Sequence, residues 1–394
     1  MLTNRSNDSI VPQDPITIGI IGGGQLGKMI AQEAKRMSLR TIILDPEKEC
    51  PAASIADEQI TADFKNEPAI KELAKRTDVV TYEIELANSS VLNELQSDHH
   101  DVYPSPENLR TIQNKYRQKK FLKNNSIETG EFHIIESSNE LTNVIKKFGF
   151  PSVLKACEDS YDGRGNHLIK SELEIDTAFE SFHSRSLMLE KFVFFVKEVS
   201  VMVGRNKRGQ IQSFPVVENI HEDGILATTI APARISKQLQ AKAKLVAEKV
   251  IHCLSGIGIF GVEMFVRKNG SILVNEISPR PHNSGHYSIE ACSVSQFEEH
   301  IRAILDLPLS RPRLLSHAVM INLLGPQGYY GAYRIRGLQN LFSIPEVSLH
   351  VYGKKLSSPR RKLGHVTVLA ENTSEALARA QKAKRLVEIV GERA

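Results

Sequence analysis

The sequence predicts a multidomain protein of mixed α/β and α+β class, because three regions with different patterns follow one another along its 394 residues. From residue 16 to about 105, apolar runs alternate with helical segments, which is typical of a parallel sheet covered by helices. β-Rich segments around glycine turns follow, and two further strands with an alanine-rich helix end the chain. A chain of this length is expected to form about two to four domains.

The first region is predicted to contain four strands and three helices. The strands fall on the apolar runs 16–21, 41–45, 58–62 and 78–85, and the helices lie near 26–37, 67–76 and 88–96. Two prolines in "YPSPENL" mark a boundary after this region. A single basic helix is predicted for the next segment, 111–125.

The pattern changes after the basic helix. Residues 150–170 are predicted as a strand pair around a glycine turn, and 187–204 continue in strands. The segment 210–305 is β-rich and is followed by a helix over 294–307. Residues 347–370 are predicted as two strands around a basic turn.

Composition excludes several classes of protein. A net charge of +4 and a pI of 8.7 are far from the charge density of a nucleic-acid binder and suit a small anionic ligand better. The four cysteines are scattered, which argues against a disulfide framework or a thiolate zinc site and favours a reducing, cytoplasmic location. No apolar run reaches the length of a membrane span, and residues 1–15 are predicted as a polar lead-in without a signal core.

The stretch "IGIIGGGQLGKMIAQEAKRMSLRTIILDP" matches a dinucleotide-binding fingerprint. Gly22, Gly24 and Gly27 satisfy G-x-G-x-x-G after an apolar run, and Asp45 ends the next run. The motif alone is compatible with NAD, with capture of another anion at the helix N-terminus, or with a tight turn that binds no ligand. The rest of the chain offers no dehydrogenase machinery, so an NAD-dependent oxidoreductase is kept only as an alternative.

A second glycine turn, "LKACEDSYDGRGN", joins two predicted strands. Lys155 ends the first strand, and Gly163 and Gly165 lie in the polar turn. Turns of this kind can present backbone N–H groups to phosphates while a lysine supplies charge. An ordinary exposed hairpin explains the same residues equally well.

The segment "GVEMFVRKNGSILVNEISPR" predicts a hairpin with two facing carboxylates. If Asn269-Gly270 forms a two-residue type I′ turn, Lys268 pairs with Ser271 and Glu263 lies opposite Glu276. Facing carboxylates repel, whereas Mg²⁺ in nucleotide sites takes one or two carboxylates together with phosphate and water. The pairing therefore predicts a Mg²⁺ site, with solvated surface glutamates as the alternative.

The loop after this hairpin, "SPRPHNSGHYS", is dense in anion-binding side chains. His282 and His286 have H-x₃-H spacing, but Pro281 and Gly285 argue against a continuous helix and no third soft ligand lies nearby, so zinc is disfavoured. Arg280, His282 and Asn283 are better suited to a small anion beside the metal, with a structural loop as the alternative. The later basic turn "YGKKLSSPRRKLGH" offers Lys354 and Arg361 for a phosphate monoester.

Taken together, these segments resemble the ATP-grasp superfamily and, within it, the 5-(carboxyamino)imidazole ribonucleotide synthetases. The resemblance runs from about residue 16 to 370 and is strongest in "GIIGGGQLGKM", "YDGRG", "NEISPRPHNSGHYSIEACSVSQFEEHIRAI" and "RKLGHVTV". It implies an ATP-grasp fold with a Rossmann-like N-terminal domain, a mobile lid and a C-terminal body. The implied boundaries are 1–15 for the lead-in, 16–112 for the Rossmann-like domain, 113–205 for the linker helix and lid, 206–310 for the body and 311–394 for a C-terminal subdomain.

The resemblance also assigns roles to individual positions, with ATP and Mg²⁺ as the implied cofactors. The implied ATP-binding residues are Lys115, Lys155, Tyr161, Gly163, Arg164, Gly165, Glu190, Lys191, Val193, Glu198, His221 and Asn275. Glu263 and Glu276 would bind the metal. The implied ribonucleotide-binding residues are Gln25, Leu26, Glu85, Tyr161, Asp162, Lys354 and Arg361. The implied catalytic residues are Asp162, Arg280, His282 and Asn283, of which the last three would hold bicarbonate.

In this family bicarbonate attacks the γ-phosphate of ATP to give carboxyphosphate, and the amino group of 5-aminoimidazole ribonucleotide captures the carboxyl group. Members are usually homodimers, and neither nucleic acid nor membrane is an expected partner. The chain departs from the family pattern mainly near ATP. Lys155 is followed by Ala-Cys-Glu158-Asp159-Ser160 where an arginine and then Gly-Gly are usual, so the loop loses two glycines and an arginine and gains two acids. Lys115 replaces an arginine, Leu86 an asparagine and Asn166 a glutamine.

Two further functions stay open on the sequence alone. A paralogue that keeps the fold and binds a nucleotide or ribonucleotide without turnover would account for the two acids beside the proposed polyphosphate site, since like charge opposes productive ATP binding. A formate-dependent glycinamide ribonucleotide transformylase is a related possibility. Gln25, where that relative usually has glutamate, and the segment "HNSGHYSIEA" argue against it.

Overall fold

The computed structural model describes residues 14–158, 165–182 and 185–392. Within these residues the strands form four sheets, namely a parallel N-terminal sheet, an antiparallel lid sheet, a nine-stranded central sheet and a two-stranded pair near the C-terminus. The predicted mixture of α/β and α+β structure is confirmed. The candidate site residues Tyr161, Asp162, Gly163 and Arg164 lie outside the described residues.

The N-terminal sheet is parallel in the order β3-β2-β1-β4, as the alternation of strands and helices predicts. Its strands are β1 (Thr17–Ile21), β2 (Arg40–Asp45), β3 (Glu58–Thr61) and β4 (Val79–Tyr82), and its helices are α1 (Gln25–Arg36), α2 (Glu67–Lys75) and α3 (Ser89–Ser97). Apolar side chains of β1 alternate between two cores. Ile18 and Ile20 pack under α1, and Ile21 packs with α2 and α3.

The linker between the first two sheets consists of two helices, α4 (Pro106–Gln113) and α5 (Lys115–Asn124), where the sequence predicts one. Asn114 separates them, because its backbone is extended and its side chain accepts a hydrogen bond from the N–H of Arg117 as the N-cap of α5. An asparagine cap satisfies a free N–H group at the helix start. The prediction of one continuous helix over 111–125 is therefore wrong.

The lid is an antiparallel sheet in the order β5-β8-β6-β7. Its elements are β5 (Phe132–Ile135), α6 (Ser138–Phe148), β6 (Ser152–Ala156), β7 (Asn166–Ile169), α7 (Ile175–Glu180) and β8 (Leu187–Lys191). The predicted strand pair around the glycine turn is β6 and β7, in which Lys155 lies opposite Asn166. Leu154, Leu189 and Ile145 belong to a separate apolar core under α6 and α7.

The central sheet runs in the order β14-β13-β9-β11-β12-β15-β18-β17, with β10 paired to β9. Its strands are β9 (Lys197–Arg205), β10 (Ile211–Ser213), β11 (Val217–Glu222), β12 (Ile225–Ala231), β13 (Gly258–Val266), β14 (Ile272–Ser278), β15 (His317–Leu324), β17 (Val347–Val351) and β18 (Lys362–Ala370). The accompanying elements are α8 (Lys237–Leu254), α9 (Ser288–Ala291), α10 (Gln296–Ile304), α11 (Leu338–Leu341), α12 (Thr373–Leu386) and the pair β16 (Tyr333–Arg336) and β19 (Glu388–Gly391).

Two features of the central sheet differ from the sequence analysis. The 18-residue helix α8 lies within a segment described there only as β-rich, and it packs Ala243, Ala247 and Ile251 against the sheet. Strand β9 belongs to the central sheet, although the implied lid boundary of 113–205 includes it. Strands from the implied C-terminal subdomain, including β15 and β18, continue the same sheet, so the body and this subdomain share one layer of strands.

Helix α10 joins the layers around the first sheet. Phe297 and Ile301 of α10 lie in the same apolar core as Ile18 and Met29 of the N-terminal domain. The described part of the chain contains no helix of the length and apolarity needed to cross a membrane. All four cysteines are free thiols.

Candidate active site

A cleft of about 1580 Å³ lies where the N-terminal sheet, the lid and the central sheet meet. Of the residues proposed for the site and described by the structure, all except Gly165 line it. They are Gln25, Leu26, Glu85, Lys115, Lys155, Glu190, Lys191, Val193, Glu198, His221, Glu263, Asn275, Glu276, Arg280, His282, Asn283, Lys354 and Arg361. Gly165 lies in the turn before β7, where its carbonyl accepts from the N–H of Ala156 at 2.9 Å.

The glycine turn of the fingerprint is closed by the chain's own carboxylates. The N–H of Gly23 donates to Asp45 Oδ2 and that of Gly24 donates to Glu83 Oε1, both at 2.7 Å. Gly22 has φ +101°, and a Cβ there would lie 2.6 Å from the side chain of Glu83. A Cβ at Gly27 would clash with the carbonyl oxygen of Gly22. The three glycines of the fingerprint and the acid that follows them are thus explained by packing of the turn itself, without a dinucleotide.

Glu83 is a cleft residue that the sequence analysis missed in favour of Glu85. Burial raises the pKa of Glu83 to about 7, against the opposing effects of the Gly24 N–H and of the charges on Arg280 and Lys354. Its role in the turn could have been suspected from the sequence, since Glu83 directly follows β4 and parallel strands end at the same edge of a sheet. It places a buried carboxyl group at the N-terminal wall of the cleft.

The basic turn between β17 and β18 is fastened to the N-terminal domain. Lys28 of α1 donates to the carbonyls of Val351 and Tyr352 at 3.3 and 3.1 Å. Arg361 lies 3.9 Å from Glu47. These contacts bring Lys354 and Arg361 to the wall formed by the glycine turn, although they lie over 300 residues further along the chain.

A buried cluster of two lysines and one glutamate lies between the lid and the linker. Lys155 Nζ is 2.5 Å from Glu190 Oε2, and Lys119 Nζ is 2.9 Å from Glu190 Oε1. Burial opposes the charge of Glu190, but both lysines outweigh this effect and hold its pKa at about 2. Burial lowers the pKa of Lys119, whereas Glu190 outweighs burial at Lys155 and raises the pKa there. Two ammonium groups against one carboxylate leave positive charge beside the cleft.

Lys119 was missed by the sequence analysis, although its position carries a signal. It follows Lys115 by four residues in α5, and residues at this spacing lie on one face of a helix. Lys119 Nζ also donates to Thr129 Oγ1 at 2.9 Å. Lys115 Nζ lies 3.8 Å from Glu276 Oε1, so the helix directs both lysines toward the carboxylates of the cleft.

The segment after β8 supplies the aromatic part of the cleft. Phe192 and Phe195 line it together with Lys191 and Val193. The ring of Phe195 stacks on that of Phe265 with centroids 4.6 Å apart and planes at 12°. On the neighbouring strands, Glu198 forms an ion pair with His221, and this partner outweighs burial and raises the pKa of the imidazole.

Glu263 and Glu276 face each other as predicted, but the turn that joins their strands differs from the predicted one. It is three residues long, because the N–H of Arg267 donates to the carbonyl of Ser271. Within it, the N–H of Gly270 donates to the carbonyl of Arg267, and Gly270 has φ +76°. The predicted two-residue type I′ turn is therefore wrong. A β-bulge at Asn275 shifts the register by one residue and restores Glu263 opposite Glu276.

The bulge places two neighbouring side chains, those of Asn275 and Glu276, at the cleft. Successive residues of a regular strand point to opposite faces, whereas a bulge can direct two neighbours to one side. Asn275 and Glu276 both line the cleft. Burial raises the pKa of Glu263 to about 7; Glu276 and Glu198 raise it further, and His221 opposes them.

The loop after β14 is fixed by two amide side chains that the sequence analysis did not identify. Gln296 accepts from the N–H of His282 at 2.9 Å and donates to its carbonyl at 2.8 Å. Asn322 and Asn283 exchange two side-chain hydrogen bonds, at 2.6 and 3.1 Å. Arg280 Nη2 lies 3.1 Å from Glu85 Oε1 and so joins this loop to the N-terminal domain.

The two histidines of the H-x₃-H pair lie in different surroundings. His282 is at the cleft wall, whereas His286 packs against Phe297 and His365 in the interior. Burial, followed by nearby positive charge, places the pKa of both imidazoles well below its ordinary value. The described residues contain no group of three or more His, Cys, Asp or Glu side chains arranged to hold a metal ion.

The departure from the family pattern at Glu158 is visible at the cleft rim. Glu158 lines the cleft, and its Oε1 accepts from Asn114 Nδ2 at 2.7 Å. The N–H of Lys115 donates to the carbonyl of Cys157 at 2.8 Å, which ties the same loop to α5. A negative charge is therefore held near the two lysines proposed for phosphate.

Three family models match consecutive parts of the chain. The ribonucleotide synthetase preATP-grasp domain matches residues 16–113, and the ATP-grasp domain matches residues 120–297. The phosphoribosylaminoimidazole carboxylase C-terminal domain matches residues 318–379. The three matches follow the order of the N-terminal sheet, the lid with most of the central sheet, and the last strands.

Two curated relatives resemble the chain over most of its length. The N5-carboxyaminoimidazole ribonucleotide synthase of Bacillus subtilis is 40% identical, and the match covers 91% of this chain and 92% of that one. The phosphoribosylaminoimidazole carboxylase of Saccharomyces cerevisiae is 43% identical over 92% of this chain, and the chain spans 65% of that protein's length.

A solved structure extends the likeness to the whole fold. The N5-carboxyaminoimidazole synthase of Aspergillus clavatus, in complex with ADP and 5-aminoimidazole ribonucleotide, superimposes with a TM-score of 0.87 at 36% identity. That match covers 94% of this chain and 98% of the other. By sequence, domain order and fold, the chain belongs to the N5-carboxyaminoimidazole ribonucleotide synthetase family of ATP-grasp ligases.

Proposed function

We propose that the protein carboxylates the amino group of 5-aminoimidazole ribonucleotide with ATP and bicarbonate, giving 5-(carboxyamino)imidazole ribonucleotide, ADP and phosphate. The observation that carries the proposal is the convergence of four kinds of group on one cleft: phosphate-suited lysines, facing glutamates, an anion-suited loop and a distant basic turn. Family membership supports the reaction, and the Aspergillus complex supports ADP and the ribonucleotide as ligands.

ATP is proposed to lie between the lid and the central sheet. Lys155 and Lys115 would bind its phosphates, because they are the lysines that line the cleft beside Glu190 and Glu276. The segment from Glu190 to Val193, with Glu198, would contact the adenosine, and the apolar surface of Phe195 on Phe265 suits a base. His221 and Asn275 complete this part of the proposed site, together with Tyr161, Gly163, Arg164 and Gly165.

The residues at Glu263 and Glu276 fit Mg²⁺. Two facing carboxylates supply hard oxygen ligands, and Mg²⁺ usually takes only one or two of these and completes its shell with phosphate and water. When bound, Mg²⁺ would neutralise negative charge that develops on the phosphoryl group. Burial, with smaller contributions from Glu276 and Glu198, raises the pKa of Glu263, as expected for a buried carboxylate without enough compensating positive charge.

The first chemical step joins bicarbonate to phosphorus. A bicarbonate oxygen attacks the γ-phosphorus, the bond to the β–γ bridging oxygen breaks, and ADP leaves as carboxyphosphate forms. Arg280, His282 and Asn283 are proposed to hold bicarbonate, since Gln296 and Asn322 fix their loop at the cleft wall. Holding both reactants in line is the main contribution that phosphoryl transfer requires of a protein.

In the second step the exocyclic amine attacks the carboxyl carbon. The bond between that carbon and the phosphate oxygen breaks, phosphate leaves, and the nitrogen releases a proton. The ribonucleotide is proposed to lie against the glycine turn, with Gln25, Leu26 and Glu85 on one side. Lys354 and Arg361 would bind its phosphate from the basic turn, and Tyr161 and Asp162 keep their predicted roles as part of this proposal.

An omission assay tests the reaction. ADP formation should require ATP, bicarbonate and 5-aminoimidazole ribonucleotide together, and the carboxylated ribonucleotide should appear in equal amount. Formate with glycinamide ribonucleotide should not substitute. ADP release that is independent of bicarbonate and ribonucleotide would overturn the proposal, as would failure to bind Mg-ATP in a calorimetric titration.

We also propose a homodimer in the cytoplasm. The dimer rests on the family resemblance and is tested by light scattering of the purified full chain, where a monomer mass would contradict it. The location is supported by the scattered cysteines, whose thiols are free in the structure.

A further inference from the structure

A series of buried polar side chains leads across the central sheet to the imidazole of His282. Thr229 on β12 donates to Asn219 Oδ1 on β11 at 3.2 Å, and Asn219 Nδ2 donates to Ser200 Oγ on β9 at 3.0 Å. Ser200 Oγ donates to Ser284 Oγ at 2.8 Å, and Ser284 Oγ lies 2.9 Å from His282 Nδ1. All four side chains before the imidazole are at most 5% exposed.

The directions of these hydrogen bonds follow from two groups that can only donate, the side-chain NH₂ of Asn219 and the backbone N–H of Ser284. An amide NH₂ only donates, so the hydroxyl of Ser200 accepts from Asn219 and is free to donate onward to Ser284. Ser284 in turn accepts from Ser200, which leaves its own hydroxyl proton available to His282 Nδ1 at 2.9 Å. The same ring nitrogen also accepts from the backbone N–H of Ser284 at 3.3 Å.

A backbone N–H cannot accept, so this contact requires a lone pair on Nδ1. A neutral imidazole carries its single proton on the nitrogen that does not accept. Nδ1 of His282 is the acceptor in both contacts, and Nε2 therefore carries the proton. Nε2 lies 3.8 Å from Glu263 Oε1, at the wall of the cleft.

We propose that Ser284, Ser200, Asn219 and Thr229 are positioning residues that hold His282 as the neutral tautomer with its proton on Nε2, so that the imidazole donates a hydrogen bond into the cleft and does not bind the metal. Ligation through Nε2 would need a lone pair there, which this tautomer lacks. The inference rests on the proposed function only for the identity of the acceptor, an oxygen of bicarbonate.

The register of the sheet explains why the series ends at this point. Ser200 lies directly opposite Glu263 on the neighbouring strand, and Asn219 lies opposite Glu198 and Thr229. The polar series therefore shares the face of the sheet that carries the proposed metal ligand. An imidazole that competed for the metal would remove the donor proposed for bicarbonate, and the serines prevent this.

The tautomer is measured directly by ¹⁵N NMR of the full-length protein with labelled histidine. The His282 signals are assigned by their loss in His282→Gln. The expected result is an Nε2-protonated imidazole in the wild type, both without and with Mg-ATP. A proton on Nδ1, or on both nitrogens, in the wild type overturns the inference even if every variant fails to fold. This readout does not depend on turnover, so it stays valid if the proposed carboxylation fails.

Kinetics of a graded series test the positioning role. Loss of a group that orients a site histidine typically costs about 10-fold to 100-fold, so Ser284→Ala should lower kcat by about 10-fold and admit the Nδ1-protonated form. Ser200→Ala should have a smaller effect and Thr229→Val the smallest, because Ser200 is one hydrogen bond and Thr229 three hydrogen bonds further from the imidazole than Ser284. The KM for ATP should not change, since the lysines of the ATP site are untouched.

Thr367→Val is the matched control for Thr229→Val. Thr367 is a buried hydroxyl residue on β18 of the same sheet, and its replacement should leave both kcat and the His282 signals unchanged. Equal kcat and an equal tautomer in Ser284→Ala and Thr367→Val would overturn the positioning role. A common loss of kcat in all four variants would also do so, because it would indicate a general effect on the sheet.

Discussion

Two glutamates of the same cleft, Glu190 with 9% and Glu263 with 19% of the side chain exposed, have opposite pKa shifts. Glu190 lies between Lys119 and Lys155, and although burial opposes its charge, these neighbours hold its pKa at about 2. Glu263 lies opposite Glu276, and burial raises its pKa to about 7 with further contributions from Glu276 and Glu198. Burial is common to both, so the neighbours decide the difference.

The comparison separates a charge that the protein itself compensates from one that is proposed to bind a cation. Glu190 is already compensated within the protein, and its removal would leave two buried lysines facing each other. Glu263 is not compensated to the same extent, which is the condition under which a carboxylate is useful for a cation. We therefore expect the charge of Glu190 to matter mainly for stability, beside the proposed contact of its segment with the adenosine, and the charge of Glu263 to matter mainly for turnover.

The largest expected effect is that of Glu263→Gln on activity. The amide keeps the shape of the side chain and removes its charge, so ADP formation should fall by about 1000-fold, as expected for loss of several kcal/mol of metal-assisted stabilisation. The free energy of unfolding should stay equal or rise. ADP formation is measured at saturating ATP, and the free energy of unfolding is measured by urea denaturation.

Glu299→Gln is the matched control for this change. Burial also raises the pKa of Glu299 to about 7, but it lies on α10, where the N–H of Ser310 donates to it. Its replacement should leave ADP formation close to wild type. If Glu263→Gln strongly lowered the free energy of unfolding and kept its turnover, the assignment of Glu263 to turnover would be contradicted.

The next effect is that of Glu190→Gln on stability. Removing one partner of a buried ionic group typically costs about 3 kcal/mol or more, because the remaining charges stay buried and uncompensated. Urea unfolding should show a loss of this size. The double variant Lys119→Met with Glu190→Gln should recover part of it, and a double variant that is simply the sum of both losses would contradict the cluster.

The difference in unfolding free energy between the wild type and Glu190→Gln should depend on pH, and the pKa of Glu190 fixes the sign of this dependence. The pKa of Glu190 is below its ordinary value of 4.5 in the folded state, so its stabilisation is present above pH 4.5 and is lost as pH falls toward about 2. The difference in unfolding free energy between wild type and Glu190→Gln should therefore be constant near neutrality and shrink in acid. A difference that grows in acid would exclude the assigned ion pairs.

The smallest expected effect is at the rim of the cleft. Glu158→Arg should lower the KM for ATP by about 5-fold, because exchange of a partly exposed charge near the phosphates is worth about 1 kcal/mol. Glu158→Gln, which removes the negative charge without adding a positive one, is the control and should lower the KM less. An unchanged KM in Glu158→Arg would show that the departure from the family pattern has no influence on ATP.

The pairing of Glu263 with Glu276 could be predicted from the sequence, but the turn that the prediction assumed is not the one in the structure. Facing glutamates followed from the apolar strands around Asn269-Gly270, yet the real turn is one residue longer and the bulge at Asn275 compensates for it. Local pattern indicates that a hairpin exists but contains little information on bulges, which depend on the packing of the complete sheet.

Groups that act across the fold were harder to predict. Lys119 and Glu190 are 71 residues apart, and Ser200 and Ser284 are 84 apart, so their pairing is set by topology. The alternation of Glu198 and Ser200 with buried valines in β9 does indicate a polar face on the central strand. Helix α8 and the break at Asn114 were local features, with capping residues at Ser236 and Asn114 that mark both helix starts.

The central claim, that bicarbonate attacks the γ-phosphate to form carboxyphosphate, is tested most directly with ¹⁸O-labelled bicarbonate. The bicarbonate oxygen that attacks phosphorus stays with it when the amine displaces phosphate. The account predicts one labelled oxygen in each phosphate released, together with equal amounts of ADP and carboxylated ribonucleotide. Phosphate free of label, formed while the ribonucleotide is carboxylated, would contradict it.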